Sequence, residues 1–269
     1  MLITNKSQIA HIADRCGVDW IFVDLEKIGK EERQPGLDTI KSQHHISDIP
    51  KVKSSLSSSK LMVRINPLGD HSQHEIDNVV QAGADIIMLP FFRSAKEPQE
   101  FISIINKRVK TCLLVETMEA VADIENIISI EGIDYIHIGL NDIHLQRGSN
   151  FIFEFLSDGF MDKISETIKQ KNIPFGFGGI GRPKELKPSG ERILGEHFRL
   201  GSSGVILSRA FIKIEDFIDE ESFANSLAQG VKEIRTCLNK FNTAPRNFFE
   251  ENKRICFQEI SEVAEAMNK

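Results

Sequence analysis

The sequence predicts an α/β protein of the (β/α)8 or TIM-barrel type with extra C-terminal helices, on three observations. Short apolar runs begin near residues 2, 20, 61, 85, 111, 133, 173 and 204, and a helix-periodic segment follows each. That spacing is the period of βα units joined by right-handed crossovers, not of a solenoid repeat. The chain has 269 residues, a length at which barrels of this class build one large core. An open doubly wound sheet uses the same short apolar strands and stays open as the alternative. Residues 1–212 are the expected barrel domain. Residues 213–269 exceed what a barrel needs, so their helices are expected to cover the barrel floor or to be exchanged between subunits.

Composition narrows the class. A hydrophobic share of 41% and a charged share of 27% are those of a soluble globular protein. The net charge of −6 argues against nucleic acid as the main partner, while leaving room for a local cationic pocket. The first residues lack a secretory apolar region, and no apolar run approaches the ~20 residues of a membrane span. A cytoplasmic protein without a membrane partner is expected. Cys16, Cys112, Cys237 and Cys256 are scattered, without a CxxC spacing, and three lie in apolar-periodic segments. Buried thiols in a reducing compartment are expected, not disulfides or zinc ligands.

Taken in order, the first strand is the short piece at 2–4. Ser7 is placed to cap a helix over 8–16, with Ile9, Ile12 and Ala13 on one face and Gly17 as its stop. DWIFVDL at 19–25 is a continuous apolar run bounded by charges, as in a strand buried on both faces. A polar loop follows, then a helix over 46–56. LMVRIN at 61–66 is the next strand, closed by Pro67-Leu68-Gly69-Asp70. Helix 72–82, strand 85–90, a helix from 94 or 95 to 107, and strand 111–116 continue the cycle. Helix 119–129 leads to strand 133–138, and a longer loop through Gly148 precedes helix 155–171. Strand 173–177 runs into FGFGGIGRP, Pro183 opens a helix ending near Gly201, and 204–207 is the last strand. Helices over 216–239 and 248–267 complete the chain.

In a barrel of this class the active site lies at the C-terminal ends of the strands. The polar residues there are Asp24, Glu26, Arg64, Asn66, Glu116, Asn141, Asp142, the segment 176–181, Ser208 and Arg209. They include acids, an arginine and glycines, but no cysteine and no Ser-His pair. The set therefore points to electrophilic stabilisation of an anion and not to a covalent nucleophile. Glu116 and Asp142 close successive strands, and neighbouring strands run about 5 Å apart. The two carboxylates are thus candidate ligands of a divalent cation such as Mg2+, Mn2+ or Co2+. A helix cap or a strand-end ion pair is the structural alternative for each. Arg64 sits among apolar neighbours and must be paired or aimed at an anion, because a bare buried charge is costly. A pair with Asp24 or Glu26 is its alternative. The glycines of 176–181, Gly178 among them, could cradle a ligand with backbone amides or form a tight turn needing positive φ. Lys27, Lys30 and Arg33 form either a functional cluster or a solvated face. His44, His45 and His144 are candidate acid–base groups, and His144 stands two residues past Asp142.

The segments DWIFVDLE, VRINP, AGADIIMLP, VETMEAV, EGIDYIHIGLNDI and the strand 204–207 follow one another in a familiar order and spacing. Over about 15–210 the sequence resembles the HpcH/HpaI aldolase and citrate lyase β-subunit family. The resemblance implies a barrel of the phosphoenolpyruvate/pyruvate superfamily that uses Mg2+ or another divalent ion. It implies carbon–carbon lyase chemistry, of aldolase type, on a 2-oxo acid through a pyruvate-like enolate. It carries the metal-ligand role onto Glu116 and Asp142, and binding of the keto-acid oxygen onto Arg64. Gly139 and the adjoining Asn141 fall where the family holds the pyruvate-like carboxylate. A homotrimer or homohexamer with exchanged C-terminal helices is also implied.

This chain departs from the family at one informative place. Members of the aldolase branch carry a histidine shortly after the acidic residue of the second strand, in a GEH pattern. Here the run is Asp24-Leu25-Glu26-Lys27. Lys27, His45 and His144 are the candidates to replace that acid–base group. The competing functional readings are a barrel that binds a 2-oxo acid without turnover and a sugar-phosphate enzyme using residues 176–181.

Overall fold

The computed structural model describes residues 1–29, 43–213 and 219–267. Among them eight parallel strands share one sheet in the order β1 to β8 and alternate with helices, the arrangement of the (β/α)8 class. Sequence order equals sheet order throughout. The doubly wound alternative is thereby excluded, because its strand order reverses at a switch point. The strands are β1 (Leu2–Ile3), β2 (Trp20–Asp24), β3 (Lys60–Arg64), β4 (Ile86–Leu89), β5 (Lys110–Val115), β6 (Tyr135–Ile138), β7 (Phe175–Ile180) and β8 (Gly204–Leu207). The chain divides into two compact units, Met1–His137 and Ile138–Lys269.

In the first unit β1 to β5 pair in parallel, and the register sets Asp24 beside Arg64. Leu61, Met62 and Val63 are fully buried in succession, as are Ile87, Met88 and Leu89. Both faces of these strands are covered, which is why they read as unbroken apolar runs. The helices are α1 (Ser7–Arg15), α2 (Ile49–Ser54), α3 (Ser72–Gln81), α4 (Lys96–Ile105), α5 (Met118–Ala122) and α6 (Ile124–Ile127). α1 is tied to the turn before β3 by Asp14, a buried carboxylate that accepts the N–H groups of Ser57 (3.0 Å) and Ser58 (2.9 Å). Burial pushes its pKa up, but the bonds from Ser59, Ser58 and Ser57 together outweigh this and lower it to about 2. The single helix expected over 119–129 is broken at Asp123, whose carboxylate turns aside to accept the Ala95 N–H (2.7 Å) and the Asn126 side chain (2.6 Å).

The second unit holds α7 (Leu140–Arg147), α8 (Glu154–Ser157), α9 (Phe160–Lys169), α10 (Gly190–Leu200), α11 (Glu220–Thr243) and α12 (Arg246–Met267). Three expectations change here. The segment expected as a loop through Gly148 is helix α7. The helix expected over 155–171 breaks into α8 and α9 at Gly159, which takes φ +82°. The helix expected from Pro183 begins only at Gly190, where Ser189 supplies the cap by accepting the Arg192 N–H.

α12 packs on α10 and α8 of its own chain. Every fourth residue along it, Asn252, Cys256, Ile260 and Ala264, is buried. A Cβ on Gly195 would stand 2.5 Å from Asn252 Nδ2, so glycine is what permits this approach. Cys112, Cys237 and Cys256 are buried, and all four cysteines are unbridged. Burial raises the Cys256 thiol to about 12. Among the described residues no helix is long and apolar enough to cross a membrane.

Candidate active site

In the first unit the candidate side chains lie where β2, β3 and β5 end. Asp24 and Arg64 are the last residues of paired strands. Arg64 Nε donates to Asp24 Oδ1 (2.9 Å) and Nη2 donates to Oδ2 (2.8 Å), a bidentate fork. Nη1 lies outside that fork, 3.3 Å from Glu26 Oε2. The Arg64 side chain is 15% exposed and that of Glu26 2%. The ion-pair alternative for Arg64 is therefore present in the geometry, with one nitrogen of the guanidinium not committed to Asp24. Burial disfavours the charge, but Asp24 foremost, then Glu26 and Glu116, hold the pKa above the ordinary arginine range.

Glu116 follows β5 and is buried. Its Oε1 accepts the Phe91 N–H at 3.0 Å. Phe91 adopts φ +48°, a left-handed conformation that costs a bulky residue on the order of 1–3 kcal/mol. The cap of α5 is Thr117, which accepts the Ala120 N–H and donates to the Phe92 carbonyl. Glu116 is thus not the helix cap, the role the sequence had left open for it.

The loop after β2 is clamped by Asn66, whose Oδ1 accepts the N–H groups of both Lys27 (2.9 Å) and Ile28 (3.0 Å) while its Nδ2 donates to Glu75 (2.7 Å). The Lys27 side chain is exposed. Lys30 and Arg33 lie outside the described residues. His45 caps the single helical turn Ile46–Asp48. His44 instead returns to the strand end, where its Nδ1 accepts the Asp24 backbone N–H at 3.0 Å.

In the second unit Gly139 is the N-cap of α7, so Asn141, Asp142 and His144 are helical. Asp142 is buried in the first turn, where the helix dipole favours a carboxylate, and Asn141 is exposed. The His144 ring is 2.8 Å from Ser149 Oγ, which ties it to the far end of the same helix. Gly178 is inside β7 and not in a loop after it. It takes φ +51° within the irregular pairing between Gly176 and Gly179, and a Cβ there would meet Leu140 at 3.1 Å. The glycine run is a bulged strand.

The first unit thus brings Asp24, Glu26, Arg64 and His44 together, with Glu116 within electrostatic reach. The second holds Gly139, Asn141, Asp142, His144 and Gly178. The Phe91 amide and the position of His44 escaped the sequence reading. Neither follows from spacing, because the first depends on a left-handed residue and the second on a contact twenty positions away.

Solved structures with this fold include an HpcH/HpaI aldolase from Desulfitobacterium hafniense DCB-2, 16% identical, with a TM-score of 0.60 over 91% of this chain and 93% of that one. An HpcH/HpaI aldolase/citrate lyase family protein from Burkholderia cenocepacia J2315 is 14% identical, with a TM-score of 0.63 over 87% and 93%. Citrate synthase SbnG is 15% identical, with a TM-score of 0.60 over 86% and 93%. At such identities the likeness speaks for the fold. No curated protein matches the sequence significantly. The model of the HpcH/HpaI aldolase/citrate lyase family matches residues 2–150, more than half of the chain, and the protein belongs to that family.

Proposed function

We propose that the protein is a cytoplasmic, divalent-metal-dependent carbon–carbon lyase of aldolase type that acts on a 2-oxo acid through a pyruvate-like enolate. The observation that carries this reading is the half-buried Arg64, anchored by Asp24, with Nη1 outside the fork and 3.3 Å from Glu26. A guanidinium already fixed in a low-dielectric place suits an oxygen that gains negative charge during reaction.

Glu116 and Asp142 would hold a hard cation such as Mg2+, Mn2+ or Co2+. Among the described residues no group of three or more His, Cys, Asp or Glu is arranged as a metal site. A pair of carboxylates suits an ion that completes its shell with substrate and water oxygens. When bound, such a cation polarises the keto oxygen as a Lewis acid. The chain's own residues do the rest. The Phe91 amide orients the Glu116 carboxylate. Asp24 keeps Arg64 from swinging away, and Nη1 binds the keto-acid oxygen. By the resemblance of the sequence to its family, Gly139, Asn141 and Gly178 are the residues that would bind the substrate carboxylate. Lys27, whose side chain is exposed, and His144, whose ring lies 2.8 Å from Ser149 Oγ, are the candidates to handle the proton in place of the family histidine. The resemblance of the sequence to its family supports a homotrimer or homohexamer, which light scattering measures.

Incubation with oxaloacetate or a 4-hydroxy-2-oxo acid and Mg2+ or Mn2+ is expected to release pyruvate. Glu116→Ala is expected to slow this by about 10²–10³-fold. Absence of pyruvate from every such acid, or wild-type rates in Glu116→Ala, overturns the reading.

A further inference from the structure

We infer that Asn66 is a positioning residue for the lyase reaction: it clamps the loop after β2 so that the Glu26 carboxylate keeps a fixed place beside the Arg64 guanidinium. That role rests on the lyase reading above. β2 ends at Asp24, and residues 25–28 belong to no strand or helix. Outside such elements a backbone amide is often left to water. Here all four find an acceptor in the protein. The Leu25 N–H donates to the Arg64 carbonyl at 2.9 Å, and the Glu26 N–H to Asp24 Oδ1 at 3.1 Å. The N–H groups of Lys27 and Ile28 both donate to Asn66 Oδ1, at 2.9 and 3.0 Å. Glu26 is therefore pinned on either side, by the acid of the fork before it and by Asn66 after it. Its side chain is 2% exposed, and Oε2 stands 3.3 Å from Arg64 Nη1.

Two donors meeting at one atom fix the Asn66 carboxamide: that atom is the oxygen, and the other is the nitrogen. Glu75 of α3 takes what remains. Its Oε1 accepts Asn66 Nδ2 at 2.7 Å, and its Oε2 accepts the Asn66 N–H at 3.2 Å. Glu75 lies in the first turn of α3, where the helix dipole favours a carboxylate, and His71 Nε2 approaches it at 3.7 Å. A chain of bonds thus runs from a helix start, through one side chain, to the loop.

In the proposed reaction Arg64 meets the oxygen that gains charge. A carboxylate 3.3 Å from the guanidinium sets how much of the cationic charge that oxygen feels. A loop released from Asn66 lets Glu26 close onto Nη1 or draw back. Displacements of about 1 Å around a reacting centre cost on the order of 10²-fold in rate. Asn66 acts through Glu26, so the loss falls chiefly on kcat.

Asn66→Ala is expected to lower kcat for pyruvate release by about 10²-fold per folded molecule, with KM within about threefold of wild type. Asn66→Asp still offers the loop an acceptor but sets like charge against Glu75, and is expected to lose as much. Adding Glu75→Gln reverses donor and acceptor in that bond and is expected to bring kcat back to within about tenfold of wild type. In a Glu26→Gln background Asn66→Ala is expected to cost no more than about threefold, because the two residues act as a unit. Equal losses in both backgrounds, a loss confined to KM, or no recovery in the Asn66→Asp/Glu75→Gln pair overturns the proposal. Hydrogen exchange, which needs no turnover, is expected to be about tenfold faster at the Lys27 and Ile28 amides in Asn66→Ala. Unchanged exchange there also overturns it. A wild-type protein that releases no pyruvate from any 2-oxo acid instead brings down the lyase reading on which it stands.

Discussion

Each compact unit carries one arginine set between two carboxylates, and the two sites differ in what the guanidinium has left to offer. Arg199, on α10, donates from Nε to Glu196 (2.8 Å), from Nη1 to Asp162 Oδ1 (2.6 Å) and from Nη2 to Asp162 Oδ2 (3.1 Å). Glu196 is fully buried and also accepts from Asn252 Nδ2 at 2.9 Å, while Lys253 reaches Asp162 at 3.2 Å. All three guanidinium nitrogens are engaged by carboxylates on α9 and α10, and α12 adds Asn252 and Lys253 to the same carboxylates. This is a staple joining helices. Arg64 stands at the end of a strand, gives two nitrogens to Asp24 and leaves Nη1 to a looser 3.3 Å approach by Glu26. The same residue types join helices at Arg199, while at Arg64 the third nitrogen is held only by the longer, 3.3 Å approach of Glu26.

Three substitutions test that contrast. Arg199→Leu leaves the fully buried Glu196 without its cation and is expected to lower stability by about 3–5 kcal/mol. Denaturant titration measures it. Per folded molecule, turnover should be unchanged, and a selective loss of activity would break the distinction. Arg64→Lys keeps a charge but loses the planar fork. It is expected to slow pyruvate release by about 10²-fold, roughly 3 kcal/mol of transition-state stabilisation, while most of the protein remains folded. Wild-type rates in this variant would place Arg64 with Arg199 as a structural pair.

Asp14→Asn gives the scale for a buried carboxylate remote from the strand-end cluster, with an expected cost of about 1–2 kcal/mol at neutral pH. The sign with pH is fixed by its lowered pKa. The folded value of about 2 lies below the ~3.9 of an unfolded aspartate, so its contribution is complete above about pH 4 and disappears as pH falls towards 2. The wild-type and Asp14→Asn stability curves should converge over that window. A gap that persists below it would mean that the bonds to Ser57, Ser58 and Ser59 do not require the ionised form.

Strands were more legible than helices. The apolar runs at 19–25, 61–66 and 85–90 are observed as β2, β3 and β4 because double burial selects apolar residues at every position, whatever the neighbours. Helix continuity was less legible. The apolar period over 119–129 and 155–171 runs on without interruption, yet Asp123 and Gly159 break the backbone there, by a side-chain hydrogen bond in one case and a positive φ in the other. At the candidate site, strand-end position marked Asp24, Arg64 and Glu116, since a polar residue ending a buried strand is visible in a linear string. The clamp of Asn66 on Lys27 and Ile28 was not visible, because it joins loops 38 and 39 positions apart.

By itself the amino-acid order determined the βα alternation, the number of strands and which acids and arginine end them, because burial on both faces of a strand leaves its mark residue by residue. Only the tertiary structure decided the rest. It set Asp24 against Arg64 by strand register, bent Phe91 onto Glu116 and returned His44 to the Asp24 amide. It also consumed Arg199 between helices, while Arg64 at its strand end was given a bidentate Asp24 and a longer approach to Glu26. These outcomes depend on directions and distances between segments far apart in the chain, and hydrogen bonds read direction and distance, which composition and periodicity do not encode.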